Sequence, residues 1–405
     1  MSLDLTRHIR PGDQILWGQV TGEPPSLVEA LVAQRAALGG VSVFLGTGLG
    51  RALGIAHADH IAMRGLGGLG TFRALTPVMD ILPVHGGQAD ALIRAGRIRC
   101  DVAFLMLPPA APDGTHSLGC CVDYMEAAIA RARIVIAEIS DKVPDTTGHV
   151  RIPTTRLDAA IRTDRSPHTT PRAAPSALER AIGGHLAPLI PDGATIQTGL
   201  GALPEAILAA LSGHRDLGLH SGIMGDGALA LIEAGALTNA RKSADAGISV
   251  TTTLVGSPAL YAFAHRNPTV ALRPCAHTHD AAVLARHEHL FAINAAVEAD
   301  LTGQVNAEAV GRRVVGGVGG QADFARAAAR SPGGASVIAL PADRIVARLN
   351  GPVTTPRADV DIIVTERGAA DLRGCGLGER MRRIIAIAAP EAREALERAA
   401  REDTT

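Results

Sequence analysis

The chain has 405 residues, more than one ordinary core holds, so two domains are the default expectation. Hydrophobic residues make up 47% and aromatic residues only 2%, which predicts an aliphatic core of helices packed over sheets. The 39 basic and 40 acidic residues give a net charge of −1 with no long run of one sign, which argues against nucleic-acid and membrane-surface partners.

The cysteines and the N-terminus indicate a cytoplasmic protein. The five cysteines are an odd number and include no C-x-x-C pair, so neither a disulfide framework nor a zinc knuckle is indicated. The opening segment, MSLDLTRHIRPGDQ, has no apolar signal core, and no run of about 18 uncharged apolar residues occurs. We therefore expect a cytoplasmic protein that does not enter a membrane.

Short apolar runs rich in β-branched residues alternate with helical patterns along the chain. This alternation predicts an α/β fold in which helices cover both faces of the sheets. In chain order, the predicted strands are 41–46, 101–107, 133–139, 194–199, 248–256, 290–295, 335–340 and 360–365.

A linker is predicted at TDRSPHTTPRAAPS (163–176), which has three prolines and no apolar periodicity. A capping box formed by Ser176 and Glu179 follows, with Leu178, Ile182, Leu186 and Leu189 at helical spacing. We therefore predict an N-terminal α/β domain over 1–165 and a C-terminal α/β domain over 176–405. A shared pattern of glycine, then proline three residues later, starts at Gly22 and at Gly201, which favours two related halves.

The first glycine loop (residues 199–203) is the clearest candidate ligand site. A strand is predicted to end at Thr198, Gly199 and Gly201 allow close approach of a ligand, and Pro204 is predicted to start a helix whose free N–H groups favour anions. The loop lacks the third glycine and the acidic residue of a dinucleotide-binding fingerprint. A tight strand-to-helix turn without a ligand explains the same residues equally well.

The strand-end turn (residues 220–226, HSGIMGD) also resembles an active-site turn. Asp226 reads as a helix N-cap and Gly235 as the glycine that ends that helix. His220 follows a predicted strand, where it either binds substrate or lies in the core as a hydrogen-bonded histidine.

Two further segments carry candidate groups. The second glycine loop (residues 316–320, GGVGG) offers consecutive N–H groups that suit a phosphate or a developing oxyanion, although loops also need glycine for steric reasons. Glu298 lies in an apolar stretch, either as a general base or in a structural hydrogen bond. The histidines of HTHD (277–280) and HEH (287–289) lack a third placed ligand, so no metal is expected.

Across nearly the whole chain, ordered motifs resemble the acetyl-CoA hydrolase/transferase family of class I CoA-transferases, the family that includes 4-hydroxybutyrate CoA-transferases. The matching segments are PPAAPDGTHSLGCCVDY (108–124), IVIAEISDKVP (134–144), QTGLGALPEAIL (197–208), DLGLHSGIMGDGALALIEAGALTN (216–239), 299–328 and VTERGAADLRG (364–374).

The resemblance implies two similar open α/β domains with acyl-CoA bound between them as a substrate, and no tightly bound cofactor. A carboxylate acceptor and a homo-oligomer are implied in the same way. CoA contacts of the family fall on Gly199, Leu200, Gly201, Ala202, Leu203, Val297, Gly317, Gly319 and Gly320.

One position departs from the family pattern. The family's motif at the strand-end turn reads His-Thr-Glu, and that glutamate attacks the acyl-CoA and then carries CoA as a glutamyl thioester. Here the triplet is His220-Ser221-Gly222, so a glutamyl intermediate at position 222 is impossible.

Four interpretations follow from this departure. The first is an enzyme that cleaves or transfers acyl-CoA by another route: Asp226 or Glu298 activates water, Ser221 beside His220 acts as the nucleophile, or a bound carboxylate attacks directly. The second is a CoA-transferase that uses a different carboxylate, and the third is an inactive CoA-binding protein. The fourth is a repurposed site in which small residues leave room for a bulkier acyl group.

Overall fold

The computed structural model describes residues 3–170 and 174–402, which form two compact units. The described residues of Met1–Pro171, Val250–Thr278 and Val314–Gly317 form the first unit; those of Arg172–Ser249, His279–Arg313 and Val318–Thr405 form the second. Residues 171–173 of the predicted linker lie outside the described residues. The domain limits 1–165 and 176–405 stay a prediction, since the units interleave in a way that one linker does not predict.

The first unit is built on a seven-stranded sheet in which every neighbouring pair is parallel. Its strands, in spatial order, are Met79–Ile81, Ile61–Gly65, Val41–Leu45, Gln14–Trp17, Val102–Leu107, Ile134–Ser140 and Ala159–Thr163. All six residues of Val102–Leu107 are buried, as expected for a parallel sheet with both faces covered.

The second unit is built on a six-stranded sheet. Its strands, in spatial order, are Gly218–Leu219, Thr195–Thr198, Leu290–Ala295, Ala335–Ala339, Ile362–Thr365 and Gly368–Asp371. All neighbours are parallel except the final pair. Because parallel strands end at the same edge, the segments that follow Thr198, Leu219 and Ala295 begin side by side, where ligands bind in open α/β sheets.

The helices vary from four to ten residues. They are Pro25–Gln34, Gln88–Arg94, Met125–Arg131, Ala177–Leu186, Ala202–Ala210, Asp226–Glu233, Pro258–Ala264, Cys275–Thr278, Ala281–Leu284, Gln321–Ala328, Leu377–Ala386 and Arg393–Glu402. Within the described ranges, no helix has the length and apolar character needed to cross a bilayer.

Short strands lie outside the two large sheets: Thr115–His116, Ile152–Pro153, Ile223–Met224, Ser249–Thr251, Thr253–Leu254, Val270–Leu272, Glu298–Asp300, Val305–Asn306, Ala309–Val310, Arg313–Val314 and Ile345–Val346. Seven of the eight predicted strands belong to the large sheets. The prediction of one strand over 248–256 was wrong. This segment forms two short strands separated by Thr252, whose carbonyl accepts the N–H of Val122.

Local sequence signals predicted the positions of the helix starts to within one or two residues. The capping box is confirmed: Ser176 Oγ accepts the N–H of Glu179 at 3.3 Å, and Glu179 Oε2 accepts the N–H of Ser176 at 2.7 Å. The helix after the first glycine loop begins at Ala202, two residues before Pro204, with Gly201 as its N-cap. Asp226 is the first helical residue rather than the N-cap, which is Gly225.

Candidate functional site

The first glycine loop is open. A Cβ at Gly199 would meet no atom within 4 Å, and Leu200 keeps 39% of its surface exposed. Gly201 has φ +121°, a conformation that side chains other than glycine's rarely adopt. The nine-residue helix that follows therefore presents its first N–H groups beside space that a ligand can enter.

At the strand-end turn, Ser221 ties two strand ends together. Its hydroxyl donates to the carbonyl of Thr198 at 3.0 Å and accepts the N–H of Thr198 at 3.3 Å and of Ile223 at 3.4 Å. The side chain is fully buried. Because the one hydroxyl proton is directed at a backbone carbonyl, this geometry gives Ser221 a structural task and does not direct it at His220 as a base.

His220 belongs to a buried histidine pair. Its Nδ1 lies 3.1 Å from Nε2 of His287, and both side chains have no exposed surface. One ring must donate and the other accept in this contact. The pair matches the structural alternative foreseen for His220, a hydrogen-bonded histidine of the core.

Gly222 faces the ring of a third histidine, His279. A Cβ at position 222 would lie 3.1 Å from both Cε1 and Nε2 of that ring, closer than most side-chain contacts. The same ring also approaches Gly320: a Cβ there would lie 2.4 Å from Nε2, which is a clash. A side chain at Gly320 would therefore clash with the imidazole, and one at Gly222 would require the ring to shift by a few tenths of an ångström.

His279 fills the space next to the missing glutamate. The ring limits the extra room at Gly222 that the fourth interpretation expects for a bulkier acyl group, and that interpretation stays a prediction. The ring packs edge-on against Phe324, with ring centroids 4.9 Å apart. Removal of most of the ring from water lowers the pKa of His279 to about 4, so the imidazole is neutral at pH 7.

The second glycine loop divides into two halves. Gly316 and Gly317 belong to the first unit, where Gly316 accepts the N–H of Gly68 at 2.8 Å and Gly317 forms a β-bridge with Gly67. A Cβ at Gly317 would lie 2.6 Å from the carbonyl oxygen of Leu66, so a side chain at this position would clash with the backbone. Gly319 and Gly320 belong to the second unit, and Gly319 has φ +56°.

Asp226 lies beside a carboxylate that the sequence did not single out. Glu205, in the first turn of the helix after the first glycine loop, accepts the N–H of Gly227 through Oε1 at 3.3 Å. A negative charge at this helix N-terminus is favourable. The contact joins the two loop-bearing helices and places a second carboxylate next to the start of the helix that Asp226 opens.

Glu298 is held by two donors. Its Oε1 accepts from Asn306 Nδ2 at 3.0 Å and from the backbone N–H of Asn350 at 2.9 Å. The neighbouring Val297 donates its N–H to the carbonyl of Asn306 at 2.8 Å. These bonds orient the Glu298 carboxylate, whose role as a general base stays a prediction. Within the described residues, no group of three or more His, Cys, Asp or Glu side chains is arranged to hold a metal ion.

His279 and Glu205 are the residues of this region that sequence reasoning missed. The HTHD segment was examined only for metal binding, and nothing in its spacing indicates that His279 would contact Gly222, 57 positions earlier in the chain. Glu205 looks like an ordinary acidic residue in a first helical turn. The vacancy at Gly222 was the one available signal, since a lost side chain invites a search for what replaced it.

Comparisons with known proteins agree on one family. Residues 256–400 match the family model described as acetyl-CoA hydrolase/transferase C-terminal domain. The chain is 34% identical over 400 residues to the 4-hydroxybutyrate coenzyme A transferase of Clostridium kluyveri, covering 95% of this chain and 92% of that protein.

Solved structures give the same result. RipA from Yersinia pestis superimposes with a TM-score of 0.93 at 31% identity, covering 99% of this chain and 96% of that one. The 4-hydroxybutyrate CoA-transferase from Porphyromonas gingivalis gives a TM-score of 0.83 at 30% identity, covering 98% and 96%. These matches confirm the predicted class I CoA-transferase fold.

Proposed function

This chain belongs to the acetyl-CoA hydrolase/transferase family and is an enzyme that acts on acyl-CoA, and we propose that it does so without a glutamyl-CoA intermediate at position 222. Cleavage of the thioester by water is the reaction we favour. Coenzyme A is then a product and the acyl-CoA a substrate, with no tightly bound cofactor.

The observation that carries the proposal is the pair of residues Gly222 and His279. Glycine offers no carboxylate, and the His279 imidazole lies 3.1 Å from where a Cβ at position 222 would stand. A route through a covalent carboxylate would need a different acidic residue. Direct attack by water requires a general base that activates the water and hydrogen-bond donors that stabilise the thioester oxygen.

The first glycine loop supports acyl-CoA binding. Its open backbone at Gly199 and the helix N-terminus after Gly201 suit a phosphate-bearing ligand. In our proposal, Gly199, Leu200, Gly201, Ala202 and Leu203 contact CoA, as does Val297. The N–H groups of Gly319 and Gly320 would stabilise the negative charge that grows on the thioester oxygen.

Two acidic residues remain candidates for the base. Asp226 opens its helix and is half-buried, and Glu298 is fixed by Asn306 and Asn350. A CoA-transferase that uses another carboxylate is the alternative, and Glu205 adds one more acidic group beside Asp226. An inactive CoA-binding protein is the remaining outcome to be tested.

The test is an incubation of the purified protein with acetyl-, butyryl- and 4-hydroxybutyryl-CoA, with and without acetate or succinate. Free thiol and newly formed CoA esters are followed together with the intact mass of the protein. We expect release of thiol without an acceptor and no mass increase. Acceptor-dependent exchange with a CoA adduct that hydroxylamine removes would contradict the proposal, and CoA binding without turnover would favour the inactive protein.

Restoring the glutamate makes the test sharper. Gly222→Glu alone must displace the His279 ring, whereas Gly222→Glu combined with His279→Ala frees that space. We expect the double variant to form a CoA adduct and gain acceptor-dependent exchange, while Gly222→Glu alone gains less. Equal behaviour of the two variants would show that the ring does not limit access to this position.

A further inference from the structure

Two residues of the first unit have strained backbone conformations. Val20, in the turn after the strand Gln14–Trp17, has φ +47°, and Asp123, just before the helix Met125–Arg131, has φ +37°. A β-branched residue is an outlier in the left-handed region, and strain of this kind persists only where surrounding contacts enforce it. Strained residues are common in segments that change between two conformations.

A hydrogen-bonded relay joins these two positions to a third segment. Gln19, which precedes Val20, donates from Nε2 to Oδ2 of Asp123 and accepts the N–H of Thr47 through Oε1 at 2.8 Å. The Gln19 side chain is closely packed, since a Cβ at Gly46 would lie 2.2 Å from its Cγ. Asp123 therefore orients Gln19, and Gln19 holds the loop that begins at Thr47.

Asp123 is a carboxyl group almost removed from water. It is 4% exposed, and its hydrogen bonds come from two uncharged groups, the amide of Gln19 and the thiol of Cys275. The loss of hydration outweighs these bonds and raises the pKa of Asp123 from the usual 3.8 to about 6. The buried carboxyl group therefore changes its charge near neutral pH.

The other titratable groups that face Asp123 keep their charge in this range. They are Cys121, Tyr124, Asp90 and Cys275. Burial raises the pKa of both thiols and of the phenol well above neutrality, so these groups stay uncharged. Asp90 is paired with Arg94, whose Nε lies 2.5 Å from its Oδ1, and its negative charge raises the pKa of Asp123 further.

From this arrangement we propose that Asp123 and Gln19 form a pH-sensitive latch, which keeps the loop that begins at Thr47 closed while Asp123 is protonated and lets it open once Asp123 is ionised. A proton binds more tightly to the closed state, where the carboxyl group is buried, than to an open state that water reaches. Lower pH therefore favours the closed state. The latch is independent of the proposed function, because it involves no acyl-CoA.

The size of the effect follows from the two pKa values. The carboxyl group titrates near 3.8 when hydrated and near 6 when buried. Between these values the closed state binds a proton that the open state does not, so the equilibrium constant for opening should rise about tenfold from pH 5 to pH 8. Most of this rise should occur below pH 7.

The experiment measures protection of the full chain at pH 5 and pH 8 at two positions. One is the amide of Thr47, followed by hydrogen exchange, and the other is the thiol of Cys275, 1% exposed, followed by alkylation; each rate is divided by that of the unfolded chain at the same pH. We expect both protection factors to be about tenfold lower at pH 8 in the wild type. Asp123→Asn, which removes the charge, should show the same protection at both pH values to within about twofold.

Two further variants separate the parts of the latch. Asp113→Asn is the matched control, since that carboxylate bonds to Thr115, and it should keep the tenfold change. Gln19→Met removes the link to Thr47, so the amide of Thr47 should lose its pH dependence while the thiol of Cys275 keeps it. Gln19→Met also decides the question if Asp123→Asn does not fold.

Three results would overturn the latch. The first is wild-type protection that is equal at the two pH values or lower at pH 5. The second is a tenfold change that persists in Asp123→Asn, since another group would then be responsible. The third is a Thr47 amide that keeps its full pH dependence in Gln19→Met, because the relay through Gln19 would then not carry the effect.

Discussion

The two units contain the same strand-to-helix pattern, a glycine followed three residues later by proline, in opposite environments. In the first unit, a Cβ at Gly22 would lie 2.7 Å from Cβ of Cys121, and the adjacent Glu23 is 2% exposed and accepts the N–H of Gly50. In the second unit, a Cβ at the matching Gly201 would meet only Cδ of Pro204, at 3.9 Å. A similar local sequence is therefore packed against protein in one unit and left open in the other, and only the open turn has room for a ligand.

The largest loss of stability is expected for a substitution in the packed turn of the first unit, at Gly22. Gly22→Ala places a methyl group against the Cβ and Sγ of Cys121, and overpacking of this kind costs about 3 kcal/mol. Urea unfolding should show a lower free energy of unfolding with an unchanged dependence on denaturant. An unaltered denaturation midpoint would mean that the turn at Gly22 accommodates a side chain as readily as the turn in the second unit.

The open turn should respond to backbone strain. Gly201 has φ +121° and ψ 177°, a region used almost exclusively by glycine, and its nearest neighbour to a Cβ is Pro204 Cδ at 3.9 Å. The strained backbone alone should therefore lower the free energy of unfolding of Gly201→Ala by about 2 kcal/mol. If thermal unfolding shows no loss, the conformation of the first glycine loop differs from the one described here.

The low pKa of His279 predicts that the free energy of unfolding depends on pH. Because burial lowers its folded pKa to about 4, below the usual 6.5, the unfolded chain binds a proton between these values that the folded chain does not. This group's contribution is fully present above pH 6.5 and is lost as the pH falls toward 4. We expect the wild type to lose about 1.5 kcal/mol more than His279→Gln between pH 7 and pH 4, measured by urea unfolding. Parallel curves for the two proteins would contradict a neutral buried ring.

The smallest structural effect is expected at Gly199. Gly199→Ala meets no neighbouring atom, so the free energy of unfolding should change by less than about 0.5 kcal/mol. If the loop binds CoA, the methyl group intrudes on the ligand and the affinity should fall about tenfold, measured by calorimetry. Gly184→Ala, which also meets no atom within 4 Å, is the matched control and should leave CoA affinity unchanged.

Local signals predicted much of the fold. Apolar runs gave seven strands of the two sheets, and Ser176 with Glu179 marked a helix start because a capping box involves residues only three apart. The strand that ends before His220 was predicted, whereas Ile61–Gly65 and Met79–Ile81 are among the sheet strands that were missed, since their length or mixed composition gives little periodicity. The interleaving of 250–278 with the first unit depends on long-range packing, which local patterns do not report.

The candidate site was predicted less completely than the fold. The first glycine loop was recognised because glycine, strand end and helix start are consecutive in the chain. His279 was not, because its contacts with Gly222 and Gly320 join segments 57 and 41 positions away. Asp226 was placed one position off its cap because helix ends depend on backbone angles that residue types determine only to within one or two positions.

The absence of a glutamyl-CoA intermediate is tested most directly by a single turnover in ¹⁸O-labelled water, with enzyme in excess over acyl-CoA. Direct attack by water puts one labelled oxygen into the released carboxylic acid in that first turnover, and this is the result we predict. Attack by an enzyme carboxylate and transfer of CoA to that side chain would give the acid an unlabelled oxygen from the protein, and hydrolysis of the enzyme thioester by labelled water would leave the label on the acidic side chain. Unlabelled acid with a labelled carboxylate in the enzyme would contradict the mechanism proposed for this protein.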